Sequence, residues 1–232
     1  WDGRNYLGLG RKNAVPSYGN PVADAWFAVI ESLHPLLPQV SVGRIPARTL
    51  GEAVQYLALL KSYEANPLSL WNKRIMGISG GFDENELRTF AEYLESLMTQ
   101  YVLPAPFAGL PARIYKKTGL ISFEATEEVR RTIDEGALWI SYFGHAASTT
   151  WDNGINNPTQ LKNRQDRASV ISDLSCSTAR FGEPEGRCLG EQFLFSEEAP
   201  VIAYLGSGGF GYVSYVQAIG RELHKAILKD SV

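Results

Sequence analysis

Short apolar runs alternate with longer amphipathic stretches through most of this chain. Residues 74–79 (RIMGIS), 138–143 (LWISYF), 170–174 (VISDL) and 201–205 (VIAYL) are brief, rich in β-branched or aromatic letters, and bounded by turn residues. That is the pattern of strands buried on both faces. Another short strand falls within 109–118. Between the strands the period changes. Leu87, Phe90, Leu94 and Leu97 recur at helical spacing behind a cap-like Asp83/Glu86 pair. Thr126-Glu127-Glu128 predicts the start of a helix through Ile133, residues 189–195 a short helix, and Ile219, Leu223 and Ile227 the stripe of a final one. Strands separated by helices imply a mostly parallel α/β sheet covered on both sides.

The first third reads differently. Up to about residue 31 the letters are rich in Gly, Asn and Pro, which predicts loop with short extended pieces. Val40 and Val42 suggest a short strand, left through Gly43-Arg44-Ile45-Pro46. Arg44 is assigned a structural task, tying a loop to a carboxylate. Thr49 and Glu52 form a capping box ahead of Leu50, Ala53, Leu57 and Leu60. Asn66 before Pro67 ends that helix. We therefore divide the chain into a smaller N-terminal α/β subdomain, 1–68, and a larger sheet subdomain, 69–232.

With 232 residues, 44% of them apolar and 20% charged, the chain can bury a sizeable core and carries no signature of disorder. A net charge of −3 gives no electrostatic case for nucleic acid, and no apolar run reaches the ~20 residues of a membrane span. The two cysteines, Cys176 and Cys188, make no disulfide framework. His34, His145 and His224 are scattered and show no zinc spacing. Gly80-Gly81 lacks the rest of a phosphate loop. No metal site and no required cofactor is expected.

The candidate chemistry lies where two strands end. Residues 138–143 run into Gly144-His145, and 170–174 into Ser175-Cys176. Each alone is ordinary: a Cys closing an apolar run is usually a core residue. Together, on neighbouring parallel strands, they would meet at the carboxyl edge, where open α/β sheets bind ligands. A cysteine nucleophile needs a base that is near in space but free to be distant in sequence.

The letters around the pair, GHAASTTW and ISDLSCSTARF, resemble the gingipain-type cysteine peptidases, relatives of caspases, legumains and separases. Gly144, His145, Thr149, Trp151, Asp173, Cys176 and Phe181 carry the likeness, and GRIPART resembles the family upstream. The resemblance implies a caspase-like fold whose N-terminal subdomain is truncated, a preceding strand being absent from the chain. It implies a cysteine endopeptidase with Cys176 as nucleophile and His145 as its partner, with Cys188 unpaired. The backbone N–H groups of Ala146 and Cys176 would form the oxyanion hole. The segment after residues 201–205 would line the substrate pocket, with Gly206, Ser207, Gly208, Phe210 and Tyr212, joined by Trp151. It also implies a protein or peptide substrate, a secreted or cell-surface protein-processing or sortase-like role, and further domains of a longer secreted precursor. A structural calcium ion follows from family analogy only.

Two positions depart from the family pattern: Ala146 stands where Gly is usual, and Ser175 where Ala is. A catalytically weakened pseudo-peptidase, acting as a binding or scaffolding domain, is therefore the alternative. For a third group orienting His145, the acids Asp83, Glu84 and Glu86 follow the first strand of the sheet. Glu84 is the candidate among them, with Asp152 and Asn153 as alternatives.

Overall fold

The structure, a computed structural model, describes residues 17, 19, 23–30, 38–66, 68–120, 123–155, 157–163, 167–182, 186–198 and 201–230. The opening residues 1–16, His34, and residues 183–185 of the polar loop after Cys176 lie outside them. Five strands form one sheet in the order β2-β1-β3-β6-β7: β1 Arg74–Ser79, β2 Leu110–Tyr115, β3 Trp139–Phe143, β6 Ser169–Leu174 and β7 Val201–Leu205. All four pairings are parallel. Between β3 and β6 the chain makes a small antiparallel hairpin, β4 Ala146–Ala147 and β5 Thr150–Trp151, which the sequence pattern did not announce.

The apolar runs are strands because both of their faces are covered. Along β3, Ile140 and Tyr142 pack into the cluster holding Ile78, Ile171 and Phe193, while Phe143 packs with Phe90, Tyr93 and Leu97 on the opposite face. Helix α2 (Glu84–Leu97) and helix α5 (Val213–Lys225) cover that second face; α3 (Phe123–Asp134) and α4 (Leu189–Leu194) cover the first. Asp83 caps α2 by accepting from the Glu86 N–H at 2.9 Å. After β1 the chain runs to β2 on one side, then returns to β3 on the other. The order thus reverses between β1 and β3, and a crevice opens outside their carboxyl ends.

Four expectations change. Residues 41–47 carry no regular secondary structure, so Val40 and Val42 form no β ladder. Helix α1 (Leu50–Ala65) exists and is capped by Thr49, but Leu50 and Leu57 are exposed. Its inward side runs instead through Leu59 and Tyr56, whose hydroxyl donates to the Ile202 carbonyl at 2.6 Å; apolar residues on several faces concealed which one docks. Helix α3 begins at Phe123, ahead of the Thr126 cap read from sequence. The buried line of α5 is Gly220 and His224, continued by Leu228, whereas Ile219 and Ile227 are exposed. Gly220 sets that line: a Cβ there would come within 2.3 Å of the Tyr93 hydroxyl, so only glycine lets α5 lie this close to α2.

The stop of α1 follows the sequence. Asn66 is extended (φ −77°, ψ 127°), as a residue preceding proline prefers. The Glu52 carboxylate accepts from the Arg48 N–H at 2.7 Å, one residue before the expected Thr49. Arg44 pairs with Asp24 through Nε and Nη2, both at 2.6 Å, and lies over the Phe181 ring. Its structural task is as expected.

Candidate active site

Phe143 of β3 lies in register with Leu174 of β6. His145 and Cys176 each follow two residues later, so both side chains rise from the carboxyl edge on neighbouring strands. Backbones of paired strands run about 4.8 Å apart. The expected meeting of the two strand ends at one edge is therefore present in the topology.

Four residues hold His145. Its Nε2 meets Glu86 Oε2 at 3.0 Å, and its ring stacks parallel on Phe82 with centroids 4.5 Å apart. Its backbone carbonyl accepts from the Tyr142 hydroxyl at 2.6 Å and the Asp152 N–H at 3.0 Å. The acid at the ring is therefore Glu86, which corrects the choice of Glu84. Glu84 occupies the first position of α2 and faces solvent. Glu86, at the third position, folds back over the helix start, where the same Oε2 accepts the Phe82 N–H at 2.9 Å. Capping and contact with histidine are one arrangement.

Asp152 and Asn153, the alternatives for that role, serve the backbone instead. Asp152 is buried and accepts from the Gly81 N–H at 2.7 Å, from the Tyr142 hydroxyl, and from Lys116 Nζ at 3.3 Å. Lys116 is equally buried, so the charge is paired out of water. Asn153 Nδ2 donates to the Ser79 carbonyl at 2.7 Å. Together they tie the ends of β1, β2 and β3 to the hairpin. Burial, followed by the neighbouring Asp152 charge, pushes the Tyr142 hydroxyl well above its ordinary pKa, so it stays a donor.

Cys176 is half-buried and unpaired, as is the buried Cys188. The turn beneath it is held by Asp173, which accepts from Trp151 Nε1 at 2.6 Å and from the hydroxyls of Ser175 and Tyr204. Burial raises the Asp173 carboxyl pKa, and the hydrogen bonds from Ser175, Tyr204 and Trp151 oppose that rise. Past the cysteine, Ser177 takes a left-handed conformation (φ 60°), a strain on the order of 1–2 kcal/mol for a residue with a side chain. It is held there by the loop after β7: the Ser177 N–H donates to the Gly209 carbonyl at 2.8 Å and the Ala179 N–H to Ser207 at 3.0 Å. The same loop brings the Gly211 N–H to Cys176 Sγ at 3.3 Å. A Cβ on Gly211 would sit 2.6 Å from the Ser175 carbonyl, so this approach requires glycine. At Cys188, burial, then the Glu191 charge, pushes the thiol up to about 12.

Ala146 has negative φ. It pairs with Trp151 in the hairpin, and the bond from Asp152 N–H to the His145 carbonyl marks the preceding pair as the hydrogen-bonded one. Antiparallel ladders alternate, so the Ala146 N–H is directed away from β5. The same pairing turns Trp151 inward. It is 2% exposed and stacks on Tyr142 with centroids 4.4 Å apart. Trp151 is thus a core residue, which corrects its assignment to the substrate pocket.

A cleft of about 390 Å³ runs beside the site between residues 42–46 and β7, lined by Val42, Phe181, Leu194, Tyr204, Gly206 and Gly208 among others. Phe210 and Tyr212 flank Gly211, both largely exposed, and do not line this cleft. Ser207 turns its hydroxyl back to Gly209 at 2.9 Å. Among the described residues no group of three His, Cys, Asp or Glu side chains is placed to hold a metal ion. No helix among them is long and apolar enough to cross a membrane. Sequence reasoning passed over Phe82, Lys116 and Gly211. Of these only Gly211, in a glycine-rich run after a strand, carried a signal.

The sequence signature of peptidase family C25 matches residues 1–231. No curated protein matches the chain. Among solved structures, the Arg-specific cysteine proteinase gingipain R (RgpB) is 17% identical at a TM-score of 0.69, covering 93% of this chain and 51% of its own. A complex of Porphyromonas gingivalis RgpB pro- and mature domains is 16% identical at a TM-score of 0.68, with 93% and 50% covered. A structure described as a protease is 18% identical at 0.63, with 83% and 41% covered. This chain thus spans about half the length of the gingipain structures it matches.

Proposed function

Because the chain belongs to peptidase family C25, we propose that its carboxyl sheet edge is a cysteine-endopeptidase site in which Cys176 and His145 are the reacting pair. The matched register of β3 and β6, which raises both side chains from adjacent strand ends, is the observation that carries the reading. Glu86 engages Nε2, which leaves Nδ1 for the thiol. His145 takes the Cys176 proton, and the thiolate attacks the scissile carbonyl carbon. The tetrahedral oxyanion meets the N–H groups of Cys176 and Ala146, the latter directed off the hairpin. As the C–N bond breaks, His145 passes its proton to the departing amine. Water then attacks the thioester with His145 as base, releasing the acid and restoring the thiol.

An extended peptide is the substrate class, offered Gly206 and Gly208 along the cleft and the exposed rings of Phe210 and Tyr212 beside Cys176. Family resemblance further supports a secreted or surface enzyme with a protein-processing or sortase-like role, within a longer precursor. The test is hydrolysis of a mixed peptide library by the wild type and by Cys176→Ala, with and without an added amine. Cys176→Ala should lose activity by a factor of about a thousand or more, and an alkylating probe should label Cys176 while Cys188 stays inert until the protein unfolds. Capture of the acyl group by the amine would mark the sortase-like branch. A wild type no more active than Cys176→Ala would return the chain to the binding-domain reading. The Gly-to-Ala change that first suggested that reading carries little weight now, because Ala146 sits in a conformation open to any residue.

A further inference from the structure

One exposed aromatic has no place in this scheme. Phe82 is 57% exposed between two glycines and a cluster of acids. An apolar residue just before a helix cap ordinarily staples to the fourth helical residue, here Leu87. The ring of Phe82 has other partners. It lies parallel to the His145 imidazole, at 4° between planes. Lys116 Nζ lies over it at 5.1 Å. That ammonium is buried, which makes attraction to a ring face stronger than it would be in water.

The contacts at the histidine divide its freedom between them. Glu86 Oε2 holds both the Phe82 N–H and His145 Nε2, so one oxygen fixes where the phenyl ring starts and where the imidazole ends. A single contact at Nε2 still leaves the imidazole free to pivot about it, and the terminal torsion of histidine is intrinsically broad. A flat ring against one face removes that pivot. All of this stands at the reversal point between β1 and β3, where the crevice opens.

We propose that Phe82 is a positioning residue for the cysteine-peptidase reaction: it holds the plane of His145 so that Nδ1 faces Cys176, with Lys116 Nζ placed over the same ring. The proposal rests on the peptidase reading above, and its test separates the two. Phe82→Leu keeps an apolar group ahead of the helix cap but has no flat face; Phe82→Tyr keeps the face. In Phe82→Leu, kcat should fall by about tenfold or more while KM stays within about threefold, since misplacing a reacting group costs rate rather than binding. Phe82→Tyr should restore kcat. The ring-proton resonances of His145, assigned with His145→Ala, should lose their ring-current shift in the Leu variant and keep it in the Tyr variant. A Leu variant with unchanged kcat, or with an unchanged His145 shift, overturns the proposal. If the wild type hydrolyses no peptide, the peptidase reading fails, and the resonances alone decide whether Phe82 sets the imidazole plane.

Discussion

Two histidines of this chain come to rest against hydroxyl or thiol chemistry, on different parts of the same sheet. His224, inside α5, brings Nε2 to 3.1 Å from Ser141 Oγ, which in turn contacts Ser172 Oγ at 3.0 Å. His145 stands over the carboxyl edge beside the strand end that carries Cys176. By proximity alone His224 has the better-defined partner. Yet it is fully buried, stacked on Trp139, and its Nδ1 is 2.7 Å from the Gly220 carbonyl. Burial depresses its pKa to about 4, so it resists the protonation that a base must undergo. The His145 side chain is 39% exposed and has a carboxylate at Nε2. A histidine beside a nucleophile is common packing. Access, and a carboxylate behind the ring, are what distinguish a site.

That contrast can be broken or sharpened in steps, beginning with loss of Cys176, where the effect on turnover is largest. Ser141→Ala is the matched control. It should cost stability and leave peptide hydrolysis in place at temperatures where the variant is folded, and a Ser141 variant as inactive as Cys176→Ala would erase the distinction.

Next is the protonation of His224. Its folded pKa lies below the unfolded value near 6.5, so its contribution is complete above 6.5 and is lost as pH falls toward 4. Lowering from 6.5 to about 4 corresponds to on the order of 3 kcal/mol at about 1.4 kcal/mol per unit. Urea midpoints between pH 7 and 4.5 measure it, and the slope should flatten in His224→Leu. An equal slope in that variant would assign the acid sensitivity to other groups.

Glu86→Gln tests the carboxylate. Gln keeps an oxygen for the Phe82 N–H but cannot balance an imidazolium, so kcat should fall about ten- to a hundredfold with little change in KM. Glu84→Gln should leave both constants unchanged. The smallest effect is assigned to Ala146→Gly: turnover should move by less than about tenfold, or 1.4 kcal/mol in barrier. A much larger gain would mean that the hairpin misdirects the Ala146 N–H.

The sheet was legible because its strands are short, apolar and covered on both sides, and the two strand ends pointed to His145 and Cys176 without any contact being known. The errors share a cause. Glu84 and Glu86 look alike as letters, but the third position of a helix folds back over its start while the first faces out. Trp151 beside a candidate histidine suggested a wall for substrate, until the two-residue hairpin turned it into the core. On α5 the isoleucines suggested the buried stripe, whereas a glycine's lack of a side chain decided it. In each case the outcome depends on a neighbour distant in sequence. Phe82 and Lys116 could not be paired from sequence for the same reason.

The loop after β7 has a consequence for the order in which the molecule becomes competent. Ser177, Ala179 and the sulfur of Cys176 take their partners from residues 207–211, which leave the ribosome some thirty residues after the cysteine itself. A nascent chain that has folded only through β6 carries Cys176 and His145 but lacks the amide that approaches the sulfur and the carbonyls that hold the left-handed turn. The turn that presents Cys176 is therefore complete only when the last strand has docked.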